Sequence, residues 1–247
     1  MGSVGKSVES TDGLNRFTGD GEPHVFKGKA DGDYTYERNG ESEMLDFFRN
    51  ESNYDSLISG MSRLEVSHML RWTEGHFMYG QQYEGWDRMS ERDQRMTQFY
   101  DDLVDKSTIN QGFTVSRLAS TELLLGKRVS SVTEEDLKNA MGKEIVSTGH
   151  MSTGAAETGL FINGGRSSKP IEYKFYTTGA TKGVAMYIGD NRIDAWGAKQ
   201  REVMVNRDTV WTPTGYHYDN NRRVWVVDMK YIGKTKHDYG KTGRLGK

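Results

Sequence analysis

The sequence predicts an α+β fold with helices and strands in separate layers. Two observations carry this. Apolar residues at helical spacing are concentrated in the first 142 residues, whereas alternating β-branched and aromatic residues dominate the later part. Strand–helix–strand alternation, the mark of a parallel sheet, is not visible, and neither is an internal repeat. At 247 residues the chain suits one large domain, or one domain with an appendage.

Taken in order, residues 1–41 are rich in Gly, Asp and Ser with little periodicity. Such a composition buries too little surface to offset chain entropy, which predicts a flexible or loosely docked arm. The start MGSVGKS fits the pattern for N-myristoylation and is read here as a Gly/Ser-rich tail; it contains no hydrophobic signal core. Ser62-Arg63-Leu64-Glu65 is a capping box ahead of Val66, Met69 and Leu70. Ser90 is the N-cap for a helix carrying Met96, Phe99, Tyr100, Leu103 and Val104. Thr133-Glu134-Glu135-Asp136 opens a third helix over Leu137 and Met141, stopped by Gly142. Strands are expected at residues 113–118, at Ile171, Tyr173 and Phe175, and at 184–188, 203–205 and 224–232. The Lys- and Gly-rich end after Gly233 predicts a solvated tail.

Bulk properties exclude several chemistries. The formal charge of −2 does not favour a nucleic-acid binder. The absence of cysteine rules out disulfides, zinc–thiolate sites and thiol nucleophiles. The six histidines show no HExxH-like spacing, so no metal site is expected. No apolar stretch approaches the roughly 20 residues of a membrane span.

Three polar signals remain. Arg117 stands near the end of a predicted strand in FTVSRLAS; a structural carboxylate partner is the ordinary explanation, a phosphate clamp the functional one. In GKEIVSTGHMSTGAAE, the hydroxyls of Ser152 and Thr153 follow a predicted strand, where they either satisfy local backbone or hold an active-site carboxylate. In WGAKQREVMV, Gln200 and Glu202 lie two positions apart at a strand start, so alternation aims both at one face. A carboxylate facing a cleft suits stabilisation of a developing cation.

The order and spacing of these signals resemble the mono-ADP-ribosyltransferases of the Arg-Ser-Glu class, which include bacterial exotoxins and phage enzymes. The resemblance spans roughly residues 55–232 and is close around GKEIVSTGHMST, KGVAMYIG and QREVMVNRDT. It implies N-terminal helices packed on a two-sheet, mostly antiparallel β core. Together with composition, it gives a flexible arm (1–41), the transferase domain (42–235) and a basic tail (236–247). It implies NAD⁺ as co-substrate and no metal. Arg117 would anchor the diphosphate. Ser152, with Thr153, would brace the catalytic Glu202 and the nicotinamide ribose. Phe161 and Arg166 fall where the nicotinamide- and phosphate-contacting loop belongs. Gln200 and Trp196 would face a macromolecular acceptor, a host protein before a nucleic-acid base. Family members with Gln at the position of Gln200 modify asparagine or bases more than arginine. Gly154 replaces the motif's last Ser, His150 replaces a common Phe, and Trp196 lies four residues before Gln200, where the Rho-modifying enzymes have three. NAD⁺ hydrolysis, or a catalytically silent structural or binding module of a toxin or virion, are the alternatives.

Overall fold

The computed structural model describes residues 7–9, 15–17, 22–27, 38–73, 85–156, 170–186 and 201–246. Helices α1 (Arg38–Glu51), α2 (Tyr54–Ser59), α3 (Arg63–Thr73) and α4 (Glu91–Lys106) precede most of the strands, as the α+β reading requires. Two short helices, α5 (Glu122–Leu125) and α6 (Glu134–Ala140), follow the first long strand. Each predicted cap forms. Ser62 and Glu65 exchange backbone and side-chain hydrogen bonds, Ser90 Oγ accepts from the Asp93 amide, and Thr133 and Asp136 close a capping box. In α4, Glu91 and Asp93 in the first turn and Lys106 in the last complement the helix dipole.

The described strands are β1 (Ser7–Glu9), β2 (Asn15–Phe17), β3 (His24–Val25), β4 (Phe113–Ala119), β5 (Ile145–Ser147), β6 (Met151–Gly154), β7 (Ile171–Tyr176), β8 (Gly183–Ala185), β9 (Glu202–Val205), β10 (Thr209–Asp219) and β11 (Val224–Lys234). Their main order is β1-β2-β11-β7-β4-β6-β9-β8, with the long β10–β11 hairpin extending to β5. Pairing is antiparallel except for β11 with β7 and β3 with β4. Strand β4 joins two layers. It pairs with β7 from Thr114 to Ala119 but meets β6 at a single bridge, Ser116 to Gly154. The β6–β9–β8 layer therefore hangs from β4 at one point, and apolar side chains fill the core: Phe113, Val115, Tyr173, Phe175, Met151, Val203, Val205 and Trp211 are all buried.

Both ends of the chain contact the core where they are described. Before residue 42 the described stretches pair with the sheet. Strand β2 pairs with β11, β3 pairs with β4, and Phe26, 1 % exposed, packs edge-on against Phe47 and inside the ring cluster with Phe113. Composition averaged over 41 residues hides a single aromatic anchor. The boundary at residue 42 also falls inside α1. The C-terminal end, though largely exposed, is also docked. The Tyr239 hydroxyl donates to Asp101, the Leu245 amide and carbonyl bond the Gln98 side chain, and Trp86 Nε1 donates to Thr242 Oγ1. Gly240 is in the left-handed region (φ 58°), and a Cβ there would lie 2.5 Å from Asp87 Oδ1. Its neighbour Lys241 donates its amide to that same carboxylate. The Lys and Gly content thus serves a docked strap on α4.

Candidate active site

The hydroxyls of the second polar signal lie inside a strand, not at a strand-to-loop corner. In the β6–β9 ladder Ser152 is opposite Met204 and Gly154 is opposite Glu202. Residues two apart share a face, so Ser152 and Glu202 are diagonal neighbours on one side of the sheet. Ser152 Oγ donates to Glu202 Oε1. The Trp72 indole, from the end of α3, donates to the same oxygen at 2.8 Å. Glu202 is 2 % exposed. Thr153 points to the other face, where its hydroxyl donates to the Val203 carbonyl at 2.8 Å and ties β6 to β9.

The backbone around Glu202 is pinned. Arg201 adopts φ 45°, an uncommon conformation for a residue with a side chain. Such strain persists only where the surroundings over-determine it. Here the Ala155 amide holds the Arg201 carbonyl at 2.9 Å, the Met186 amide holds the Glu202 carbonyl at 2.8 Å, and Arg201 Nη1 donates to the Lys27 carbonyl at 2.6 Å. The chain turns at Arg201, and β9 begins only with Glu202. Simple alternation therefore does not carry back from Glu202 to Gln200. Gln200 itself, with Trp196, Phe161 and Arg166, lies outside the described residues.

Arg117 stands beside this pair, not in contact with it among the contacts described. Ser116, Gly154 and Glu202 form one row across β4, β6 and β9. Two strand spacings make that row about 10 Å wide. Arg117 is the next residue along β4, half-buried and paired with Tyr173, and alternation turns it to the face opposite Ser116. It continues the apolar series Phe113, Val115 and ends it with a guanidinium.

His150, where an aromatic ring was expected, packs as one. Its ring meets Trp72 and Tyr100 edge-on, at centroid distances of 6.0 and 5.9 Å. Its Nε2 lies 3.2 Å from Asp101 Oδ1. Burial pushes the imidazole below its usual pKa despite the pull of Asp101. Two contributors to the site were missed from the sequence. Trp72 follows Met69 by three positions and looks like one more core residue on the α3 stripe. Arg201 is an ordinary Arg in sequence, and its left-handed φ leaves no local signal.

No protein-family model matches the sequence, and no curated protein matches it. Solved structures do match the fold. The C3stau2 enzyme of S. aureus, solved with NAD, superposes at TM-score 0.59 with 17 % identity, covering 86 % of this chain and 100 % of its own. Plx2a, an ADP-ribosyltransferase toxin from Paenibacillus larvae, gives 0.58 at 15 % identity over 78 % and 96 %. The Clostridium limosum C3 exoenzyme gives 0.56 at 13 % over 78 % and 94 %. This chain thus shares its fold, a large and mostly antiparallel sheet with several helices, with bacterial ADP-ribosyltransferase toxins.

Proposed function

We propose that the protein transfers ADP-ribose from NAD⁺ to a macromolecular acceptor, releasing nicotinamide. The observation that carries this reading is Glu202: a buried carboxylate, fixed by a hydroxyl and an indole, at the strand position where the Arg-Ser-Glu resemblance expects the catalytic glutamate. The fold shared with the C3 enzymes supports it.

The reaction follows from charge. The bond between ribose C1′ and the nicotinamide nitrogen breaks, and its electron pair leaves with nicotinamide, cancelling the pyridinium charge. The leaving group needs no proton. Positive charge gathers on the ribose, as in the oxocarbenium-like states of glycoside hydrolysis. An anion already in place stabilises that state without reorganising. In this reading Glu202 is the anion and Ser152 its brace. Thr153 locks the two strands together. Arg117, a strand away, binds the diphosphate, whose oxygens match its planar fork. Phe161 and Arg166 complete the NAD⁺ loop. The acceptor nucleophile then bonds to C1′ and loses its proton, steered by Gln200 and Trp196. With Gln rather than Glu at 200, the acceptor is a protein side chain other than arginine, ahead of a nucleic-acid base.

The test is Glu202→Gln. Nicotinamide release should fall by about 10²–10³, while calorimetry shows NAD⁺ binding retained. A variant that releases nicotinamide at the wild-type rate overturns the reading. In parallel, labelled NAD⁺ with host lysate should mark a discrete macromolecular band. Free ADP-ribose alone would make water the acceptor.

A further inference from the structure

We propose that Trp72 is a positioning residue for the reaction: its indole N–H holds Oε1 of Glu202 and so fixes the orientation of the carboxylate. The inference rests on the reading of Glu202 given above and deepens it.

The contact joins residues 130 positions apart, at 2.8 Å and out of solvent. Its chemistry is one-directional. An indole N–H donates and never accepts, so Oε1 must serve as the acceptor. The Ser152 hydroxyl could rotate to donate or accept; beside the indole, it too donates to Oε1. Two donors converging on one oxygen set the plane of the carboxylate. Both donors are neutral, so they favour the anion without cancelling its charge.

A buried indole always seeks an acceptor, so the bland account must be weighed. The other described tryptophans meet that need with uncharged oxygens. Trp86 donates to Thr242 Oγ1, Trp211 to Thr209 Oγ1, and Trp225 to the Val132 carbonyl. Among the described tryptophans, Trp72 alone is recorded on a carboxylate. Its ring is also boxed. Tyr100 meets it edge-on at 5.0 Å, and the Tyr100 hydroxyl ties α4 back to α3 by donating to the His68 carbonyl. His150 closes the third side and is itself tethered to Asp101. The donor is held before any substrate arrives, which is what preorganised electrostatics requires.

The experiment measures nicotinamide release from NAD⁺ by wild type, Trp72→Phe and Glu202→Gln side by side, with NAD⁺ affinity from calorimetry. Phe keeps most of the packing and removes the N–H. Loss of one hydrogen bond to a charged group predicts a fall in kcat of about 10- to 100-fold, with KM and Kd for NAD⁺ unchanged. A merely structural role would lower the melting temperature without that split. If Glu202→Gln is inactive while Trp72→Phe keeps its kcat, positioning by the indole is wrong and the catalytic reading survives. If Glu202→Gln is active, the underlying reading has failed. Should Trp72→Phe misfold, benzothienylalanine placed at position 72 alone preserves the ring shape with sulfur in place of N–H. The same kcat loss supports the proposal, and a wild-type kcat overturns it.

Discussion

Glu202 and Asp101 are both buried carboxylates, and they are held in opposite ways. Asp101, on α4, accepts both Nε and Nη2 of Arg207 at 2.8 and 2.9 Å, with Tyr239 at 3.0 Å and His150 at 3.2 Å. Burial alone would raise its pKa. The hydrogen bonds from His150 and Arg207 and the guanidinium charge outweigh that and hold the carboxyl well below its usual range. Glu202 receives an indole and a hydroxyl on one oxygen, and neither carries charge. The first arrangement neutralises an anion in order to join α4, the turn before β10 and the C-terminal strap. The second fixes the direction of a carboxylate through neutral donors on one of its oxygens. The His150 ring is the shared wall: one edge serves Asp101, while its face and rim pack on Trp72 and Tyr100.

The largest expected effect separates the two regions outright. Arg207→Ala leaves Asp101 buried without its bidentate partner, and breaking one side of such a pair costs about 3–5 kcal/mol. Denaturant unfolding should report that loss, whereas Glu202→Gln should unfold close to wild type. Below its own melting transition, Arg207→Ala should keep its KM for NAD⁺. If Arg207→Ala unfolds like wild type, the cluster is not the clamp its geometry implies.

A smaller effect is expected at the other arginine. Arg117→Ala removes the proposed diphosphate anchor, and one charge-assisted bidentate contact corresponds to a loss in NAD⁺ affinity of about 10- to 100-fold. Calorimetry decides between the two faces of β4. An unchanged Kd would mean that the guanidinium, which alternation turns away from the Ser116 row, serves the core and not the ligand.

How much of this was visible in the sequence differs between the regions. The capping boxes at Ser62 and Thr133 and the strand alternation at 171–175 are local, since their physics involves residues within one or two turns. Ser152 and Glu202 were legible only because their motif resembles a known family; no periodicity links two residues 50 positions apart. Trp72 looked like core because a helical stripe cannot show that its polar edge finds a carboxylate on another element. The twist at Arg201 broke the alternation argument for Gln200, because a left-handed residue is imposed by tertiary hydrogen bonds and not by side-chain preference. The docking of the strap was hidden for the same reason. A stretch such as 235–246 gains order from Asp101, Gln98 and Asp87, none of which is near it in sequence.

The smallest effect concerns that strap and its dependence on pH. His237 sits between Asp208, 2.9 Å from Nδ1, and Asp105, 3.2 Å from Nε2, with Asp101 at 3.7 Å. Burial and the nearby Arg207 oppose its protonation, but hydrogen bonds to Asp105 and Asp208 and the charge of Asp101 prevail and raise its pKa to about 9. The folded value lies above the ordinary 6.5, so the folded state binds the proton more tightly than the unfolded chain. The resulting stability is complete below pH 6.5 and drains away as pH climbs through about 9. Lys234 shares Asp105 with His237, at 2.9 Å. Between pH 7 and 10 the melting temperature should therefore drop, and His237→Gln should flatten the drop while lowering stability at pH 7. Hydrogen exchange should locate the loosening at residues 235–246, with the β6–β9 ladder still protected. If the amides of Ser152 and Val203 open together with the strap, the two carboxylate regions are one cooperative unit, and the His150 wall transmits what it was inferred to divide.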